Sequence, residues 1–258
     1  MKVPGLLVLL VTLLAVAPCS VAGAASGPVF LLGGNSMKGA LFADGLRPAL
    51  REHFQGRTRV VLVLEALHPE DRGAMEARLR EAFRDLGAEA AALDLADPAA
   101  ARARLGAADG VFIVGGETFV LLAALHRHGL LEVIRSRVRA GVPYAGSSAG
   151  ANVAGVLIGT TNDFPVADIP SRTALGLVPG SINPHHPLPV SAEFRVRAAK
   201  IRAYLRFNPA ETVLGIADTS MVRWQDGRLT LIAGAGWLYH AGRERELRLG
   251  EDVDDLGK

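Results

Sequence analysis

The sequence contains one cysteine, Cys19, so no disulfide can close within the chain. Thiol catalysis and cysteine-built zinc sites are excluded beyond that position. Phe, Trp and Tyr make up only 5% of the residues, too few for the stacking platforms that hold single-stranded nucleic acid. Neither sign of charge dominates: 28 Lys and Arg stand against 26 Asp and Glu, a net charge of +2. Such a balance gives no electrostatic reason to expect nucleic acid as a partner. Repeats and low-complexity linkers are also missing, and with them solenoid or tethered two-domain designs. What remains is a chain of 258 residues, 50% hydrophobic and 21% charged, which is the composition of a packed globule.

The first segment reads as an address. Lys2 precedes an almost wholly apolar run at residues 3–17, which Pro18 ends and the small residues Ala22, Gly23 and Ala24 follow. A charged start, a short apolar core and small residues form the pattern of a secretory signal peptide, and the core is too short for a comfortable membrane span. Cleavage is expected after Ala24, leaving one domain at residues 25–258 without cysteine. That form would be periplasmic or secreted, with no membrane span. Lipid attachment at Cys19 is disfavoured, because a proline precedes it.

The remainder alternates apolar runs with helical spacing. Residues 28–32, 60–64, 89–95, 111–114 and 142–145 read as buried strands, and residues 38–54, 69–86 and 118–126 as helices, with another starting at Ala149. A helix at residues 193–206 and strands at 212–216, 221–224 and 229–233 follow, the last two joined by an Asp226-Gly227 turn. The acidic ending, residues 251–258, is expected to fray. This order predicts an α/β fold, a mostly parallel sheet with helices on both faces. Ligands in such sheets bind beyond the strand ends. Three strand ends carry glycine here: Gly33-Gly34, Gly115-Gly116 and Gly146.

Gly146-Ser147-Ser148-Ala149-Gly150 fits G-x-S-x-G between a strand and a helix. A serine on so sharp a turn needs small neighbours, and its hydroxyl stands at the start of a helix, where N–H groups can hold a developing anion. The N–H of Ala149 is a natural donor. A serine nucleophile needs a base. Of seven histidines, His53, His126 and His128 fall on helices, His68 lies in a loop and His240 near the end. His185 and His186 sit between Pro184 and Pro187, in a loop whose geometry the prolines restrict, as a base requires. No acidic or histidine cluster beside them calls for a metal. The base needs an orienting carboxylate, and spacing alone leaves two: Asp163 in a polar loop and Asp218 after a strand. Asp163 can equally cap a turn with its side chain.

Four ordered segments carry a resemblance: Gly115-Gly116-Glu117-Thr118-Phe119, Tyr144 to Asn152, Thr160-Thr161-Asn162-Asp163-Phe164-Pro165 and Ile182-Asn183-Pro184-His185. Together they resemble peptidase E, the aspartyl dipeptidases of the S51 serine peptidase family, with cyanophycinases as more distant members. The likeness spans roughly residues 29–240. It implies a fold like a class I glutamine amidotransferase domain, with serine in place of cysteine. It implies Ser148 as nucleophile, His185 as base, Gly116 and Ala149 as oxyanion donors, and no metal or organic cofactor. Asp218 stands where relatives carry a glutamate and is the preferred third member; Asp163 is the alternative. Arg195, with Arg197 second, matches an arginine that holds an acidic side chain, as the guanidinium fork suits a carboxylate.

The chain departs from this pattern in three ways. Glu117 replaces an asparagine of the glycine loop and is placed to hold a substrate amino group. Ser147 replaces a tryptophan. The leader has no counterpart in a cytoplasmic enzyme. The expected activity is hydrolysis of short peptides, dipeptides with N-terminal Asp foremost. Another amide hydrolase of the same fold, cyanophycinase-like, and a non-catalytic extracytoplasmic binding domain are the alternatives. A homodimer is compatible with all three.

Overall fold

The structure is a computed structural model that describes residues 27–254 and Leu256; the expected leader lies outside the described residues. β1 (Val29–Leu32) leads into a hairpin, β2 (Met37–Lys38) and β3 (Leu41–Phe42), then α1 (Arg47–Phe54). β4 (Val60–Val63), α2 (Pro69–Asp85), β5 (Ala90–Ala92), α3 (Pro98–Gly106) and β6 (Gly110–Ile113) continue the alternation. α4 (Thr118–Arg127) and α5 (Leu130–Arg139) precede β7 (Tyr144–Ser147), and α6 (Ala149–Ala154) begins just past Ser148. An irregular stretch reaches β8 (Ser181–Pro184), α7 (Glu193–Phe207) and β9 (Thr212–Ile216). The chain then runs through β10 (Met221–Gln225), β11 (Arg228–Ala233), β12 (Gly236–His240), β13 (Arg243–Glu246) and β14 (Asp252–Asp254).

The main sheet has eight strands in the order β14-β11-β10-β1-β7-β6-β4-β5. β1, β7, β6, β4 and β5 are mutually parallel, and β10, β11 and β14 extend the sheet antiparallel from β1. A second sheet, β13-β12-β9-β8, pairs β8 and β9 in parallel.

Every residue of β1, β4, β6 and β7 is buried, so both faces of the sheet are covered. Register places Phe30, Ala145, Phe112 and Leu62 side by side on one face. Phe83 of α2 packs edge-on against Phe112 there, and against Phe42 and Phe54, at ring separations of 5.5, 5.7 and 5.0 Å. Truncating so central a ring to alanine costs about 3–5 kcal/mol. On the other face α6 lies directly on backbone. A Cβ at Gly146 would fall into the Gly150 carbonyl, and one at Gly150 into the Ile113 carbonyl. The two glycines of G-x-S-x-G therefore let the helix turn back onto the strands it follows. The Tyr144 hydroxyl donates to the Gly150 carbonyl at 2.6 Å and pins the same turn.

Several elements differ from expectation. The helix predicted over residues 38–54 is a hairpin followed by a shorter helix. Gly39 adopts φ 64° in the hairpin turn, and Pro48 opens the helix. The acidic ending does not simply fray: β14 pairs with β11, and Arg228 meets Asp254 and Asp252. The strand expected at residues 142–145 is shifted two residues along, ending on Ser147. α3, α5, β8, β12 and β13 were not anticipated. α3 is alanine- and arginine-rich with little apolar periodicity, and all four residues of β13 are exposed.

Candidate active site

The site is organised by the end of β1. Three consecutive carbonyls there each accept a backbone N–H from a different element: Leu32 from Ser148 at 3.0 Å, Gly33 from His185 at 2.8 Å and Gly34 from Thr219 at 2.9 Å. The Ser220 carbonyl accepts the Gly33 N–H in return, at 3.1 Å. Ser148 arrives from β7, His185 from β8 and Asp218 from just beyond β9. One short segment thus fixes the spacing of three side chains drawn from two sheets.

Ser148 Oγ lies 2.7 Å from His185 Nε2, and His185 Nδ1 lies 2.6 Å from Asp218 Oδ1. A carboxylate can only accept, so Nδ1 carries the proton and Nε2 is left to accept from the serine hydroxyl. The second carboxylate oxygen, Oδ2, accepts from Asn35 Nδ2 at 2.7 Å. His185 and Asp218 are each about two-fifths exposed, with side-chain accessibilities of 41% and 44%, so the pair is open to substrate.

Backbone strain is concentrated in this place. Among the described residues six non-glycine residues have positive φ, and Asn35, Ser148, His185 and Thr219 are four of them. Bulky residues in that region are costly, and only surrounding structure holds them there. Gly34 shows how close the packing is: a Cβ on it would fall into the His185 ring and against Asp218. The glycine loop is packed just as closely. A Cβ on Gly115 would stand 2.9 Å from Ser148 Cβ, and one on Gly116 would enter the Ala66 carbonyl. The Glu117 N–H donates to that carbonyl at 2.8 Å. The N–H groups of Gly116 and Ala149 are given no acceptor by the described residues.

Asp163 lies elsewhere in the network. Its Oδ2 accepts the Thr118 N–H at 2.8 Å, capping the first turn of α4 from a distant loop. It is satisfied there, and the charge sits at the positive end of that helix. Glu117, the residue before α4, is exposed. Arg195 is exposed on α7. Arg197 is half-buried and turned inward, with Nη1 2.9 Å from Asn183 Oδ1 and 3.4 Å from the His185 carbonyl. Asn162 Nδ2 reaches the Pro184 carbonyl at 2.9 Å. Arg197 and Asn162 thus brace the strand that delivers His185, and burial lowers the pKa of the Arg197 guanidinium.

His186 points the opposite way. It is buried, stacked on Trp237 at 4.6 Å and bonded through Nε2 to the Tyr239 hydroxyl at 2.8 Å. Burial lowers its pKa to about 4, so the ring is neutral. Sequence reasoning missed Asn35 and the role of Gly34. The signal was present as Gly33-Gly34-Asn35 directly after a strand, where a glycine pair and an asparagine both tolerate left-handed backbone.

A hydroxyl, an imidazole and a carboxylate in hydrogen-bonded series, at the strand ends of a doubly covered sheet, form the arrangement of the serine hydrolases as a class. Comparison with known proteins narrows this. The profile of peptidase family S51 matches residues 29–232. Peptidase E of Streptomyces coelicolor is 36% identical over 234 residues, covering 88% of this chain and 94% of the relative. Peptidase E of Shewanella amazonensis is 38% identical over 184 residues, covering 69% of this chain and 77% of the relative. A crystal structure of a peptidase from an acI-B1 Actinobacterium superposes with a TM-score of 0.68 at 18% identity, covering 90% of this chain and 98% of the other. The last likeness speaks to the fold. The chain belongs to peptidase family S51, and it is a serine-type peptidase.

Proposed function

We propose that Ser148 is the nucleophile, His185 the general base and Asp218 the orienting acid of an exopeptidase that removes N-terminal aspartate from dipeptides. The observation that carries this reading is the unbroken series Ser148–His185–Asp218 at 2.7 and 2.6 Å. In the reaction Ser148 Oγ attacks the peptide carbonyl as its proton passes to His185 Nε2. The oxyanion is held by the N–H groups of Gly116 and Ala149, to which the described residues give no acceptor. The C–N bond then breaks as His185 returns the proton to the leaving amine. Water, deprotonated by the same ring, hydrolyses the acyl-enzyme and restores Ser148. The chemistry needs no metal or organic cofactor.

Two exposed charges suit the two charged groups of an N-terminal aspartate. Glu117 pairs with the free amino group, and the Arg195 guanidinium with the aspartate side chain. The signal-peptide pattern at residues 1–24 supports a place in the periplasm or outside the cell, where short peptides would be the substrates.

The test is a panel of dipeptides with varied N-terminal residues, assayed with residues 25–258 beside a Ser148→Ala control. Cleavage of Asp-Xaa dipeptides alone, abolished by Ser148→Ala and sharply reduced by Arg195→Ala, is the expected result. Serine-dependent cleavage of other peptides with no preference for Asp would discard the specificity and keep the mechanism. Activity that survives Ser148→Ala would overturn both.

A further inference from the structure

One of the two edge strands of the main sheet is β5, a strand of three alanines far along the sheet from β1. A cleft of about 690 Å³ lies along this edge. Arg80 and Arg84 of α2, Arg104 of α3 and Arg59 at the entry to β4 line it, with Glu89 as the one acidic lining residue. All four guanidinium-bearing residues are exposed.

Local pairing does not account for this cluster. Arg80 and Arg84 are one turn apart on α2, a spacing at which like charges repel. Glu76, one turn before Arg80 and the natural partner for it, instead accepts the Ala92 N–H at 3.1 Å. Arg84 and Arg104 lie in the last turns of their helices and offset the helix dipoles, but Arg80 and Arg59 have no such place. Of the four guanidinium groups Asp109 meets that of Arg59, at 3.8 Å, while also accepting the Thr58 and Arg59 backbone N–H groups.

The backbone of the edge is partly occupied. Glu76 takes the Ala92 N–H, and Arg104 donates to the Ala92 carbonyl at 2.9 Å. The parallel ladder with β4 turns the N–H and C=O of Ala90 to the same outer side. That pair turns away from β4 toward the cleft that Ala90 helps to line, on a residue 9% exposed and beside side chains no larger than methyl. A second copy of this edge would set four guanidinium groups against four, so charge selects against self-pairing and for an acidic strand. The positive groups come from three separate elements spread around the strand, which suits charge distributed along a chain rather than one compact anion.

We propose that this cleft is a docking site for an extended acidic peptide segment, laid along β5 and separate from the Ser148 site. The segment would take the Ala90 backbone pair by strand addition and place its carboxylates against Arg59, Arg80, Arg84 and Arg104. The proposal does not depend on the specificity of the Ser148 site.

The experiment uses the Ser148→Ala protein, so that the probe is not cleaved, and a fluorescein-labelled, acetylated peptide of about six Asp and Glu residues. Fluorescence anisotropy should show saturable binding that weakens as NaCl is raised. The Arg80→Glu/Arg84→Glu double variant should raise Kd by about tenfold or more, and Arg80→Ala/Arg84→Ala by a smaller factor. With Ser148 restored, the charge-reversed enzyme should keep its activity on small substrates, which also reports that it is folded. Absence of saturable binding up to millimolar protein overturns the proposal, as does binding indifferent to both double variants. A neutral peptide that binds equally well excludes the charge argument. Inorganic phosphate that displaces the peptide at equal concentration reduces the cleft to a small-anion site and excludes the peptide.

Discussion

Asn35 Nδ2 donates to Asp218 Oδ2 at 2.7 Å, on the carboxylate oxygen that His185 leaves unused. The hydrogen-bonded series therefore has a fourth member, and in the proposed mechanism Asn35 is a positioning residue that acts through Asp218. It holds φ 44°, a conformation that asparagine and glycine tolerate. Asn35→Gly keeps the backbone and removes the bond. It should lower kcat by about tenfold, equivalent to ~1.4 kcal/mol, and leave KM within about twofold. A change in KM with kcat intact would assign Asn35 to substrate binding instead.

The two aspartates singled out by the sequence should separate cleanly. Asp218→Asn removes the charge and leaves one acceptor oxygen for two donors, His185 Nδ1–H and Asn35 Nδ2, and kcat should fall by on the order of 10³–10⁴ with melting temperature nearly unchanged. Asp163→Ala removes the cap on the Thr118 N–H and should lower stability by about 1 kcal/mol, with a much smaller effect on kcat. Steady-state kinetics beside thermal melts of both variants decides; the reverse pattern would move the acid to Asp163.

Gly34→Ala introduces a methyl group where the His185 ring lies. The ring must move, and activity should drop at least about a hundredfold, the scale expected when a catalytic group shifts by about 1 Å. Crystallography of the variant should show the Ser148–His185 contact broken while the β1 strand keeps its pairs. An active variant with the contact intact would show that the loop gives way rather than the ring.

Acid should destabilise the fold through two buried histidines that take no part in the proposed chemistry. Burial holds His53 at about 3 and His186 at about 4, against 6.5 for an ordinary histidine. Both are therefore neutral in the native state, while the unfolded chain takes up protons as pH falls below about 6.5. Stability is full above that value. It declines by about 1.4 kcal/mol per pH unit for each group on the way down to about 4, and then levels off below about 3. Urea midpoints measured from about pH 7 to about pH 4 should follow that slope. His53→Gln should flatten it by about half, and an unchanged slope would show that other groups dominate.

Much of this was legible in the residues. Val60 to Val63 and Val111 to Ile113 are apolar throughout and mostly β-branched, as suits a doubly covered strand. The serine was legible because Gly146 and Gly150 have a steric reason to flank it, and His185 because prolines bracket its loop. The irregular partners were not. Asp163 and Asp218 are both aspartates in polar loops, and the choice depends on the pairing of β8 with β9, a contact such as Ser181 with Val213 between residues distant in the chain that no local pattern encodes. The hairpin at Met37–Phe42 was mistaken for helix because its apolar residues happen to fit both periods, and Gly39 decides against helix only once its φ is known. Glycine at position 215 has a reason visible only in three dimensions: a Cβ there would press into the His186 ring.

Ser148 is delivered by the main sheet, whereas His185 and Asp218 belong to the ends of adjacent strands in the second sheet. The three meet only where the last carbonyls of β1 collect them. A chain that has formed the first sheet but not yet docked the other holds a serine with no base, and is chemically inert. Hydrolytic competence therefore requires both sheets to be in place, and recovery of turnover after dilution from denaturant reports the docking of one sheet onto the other.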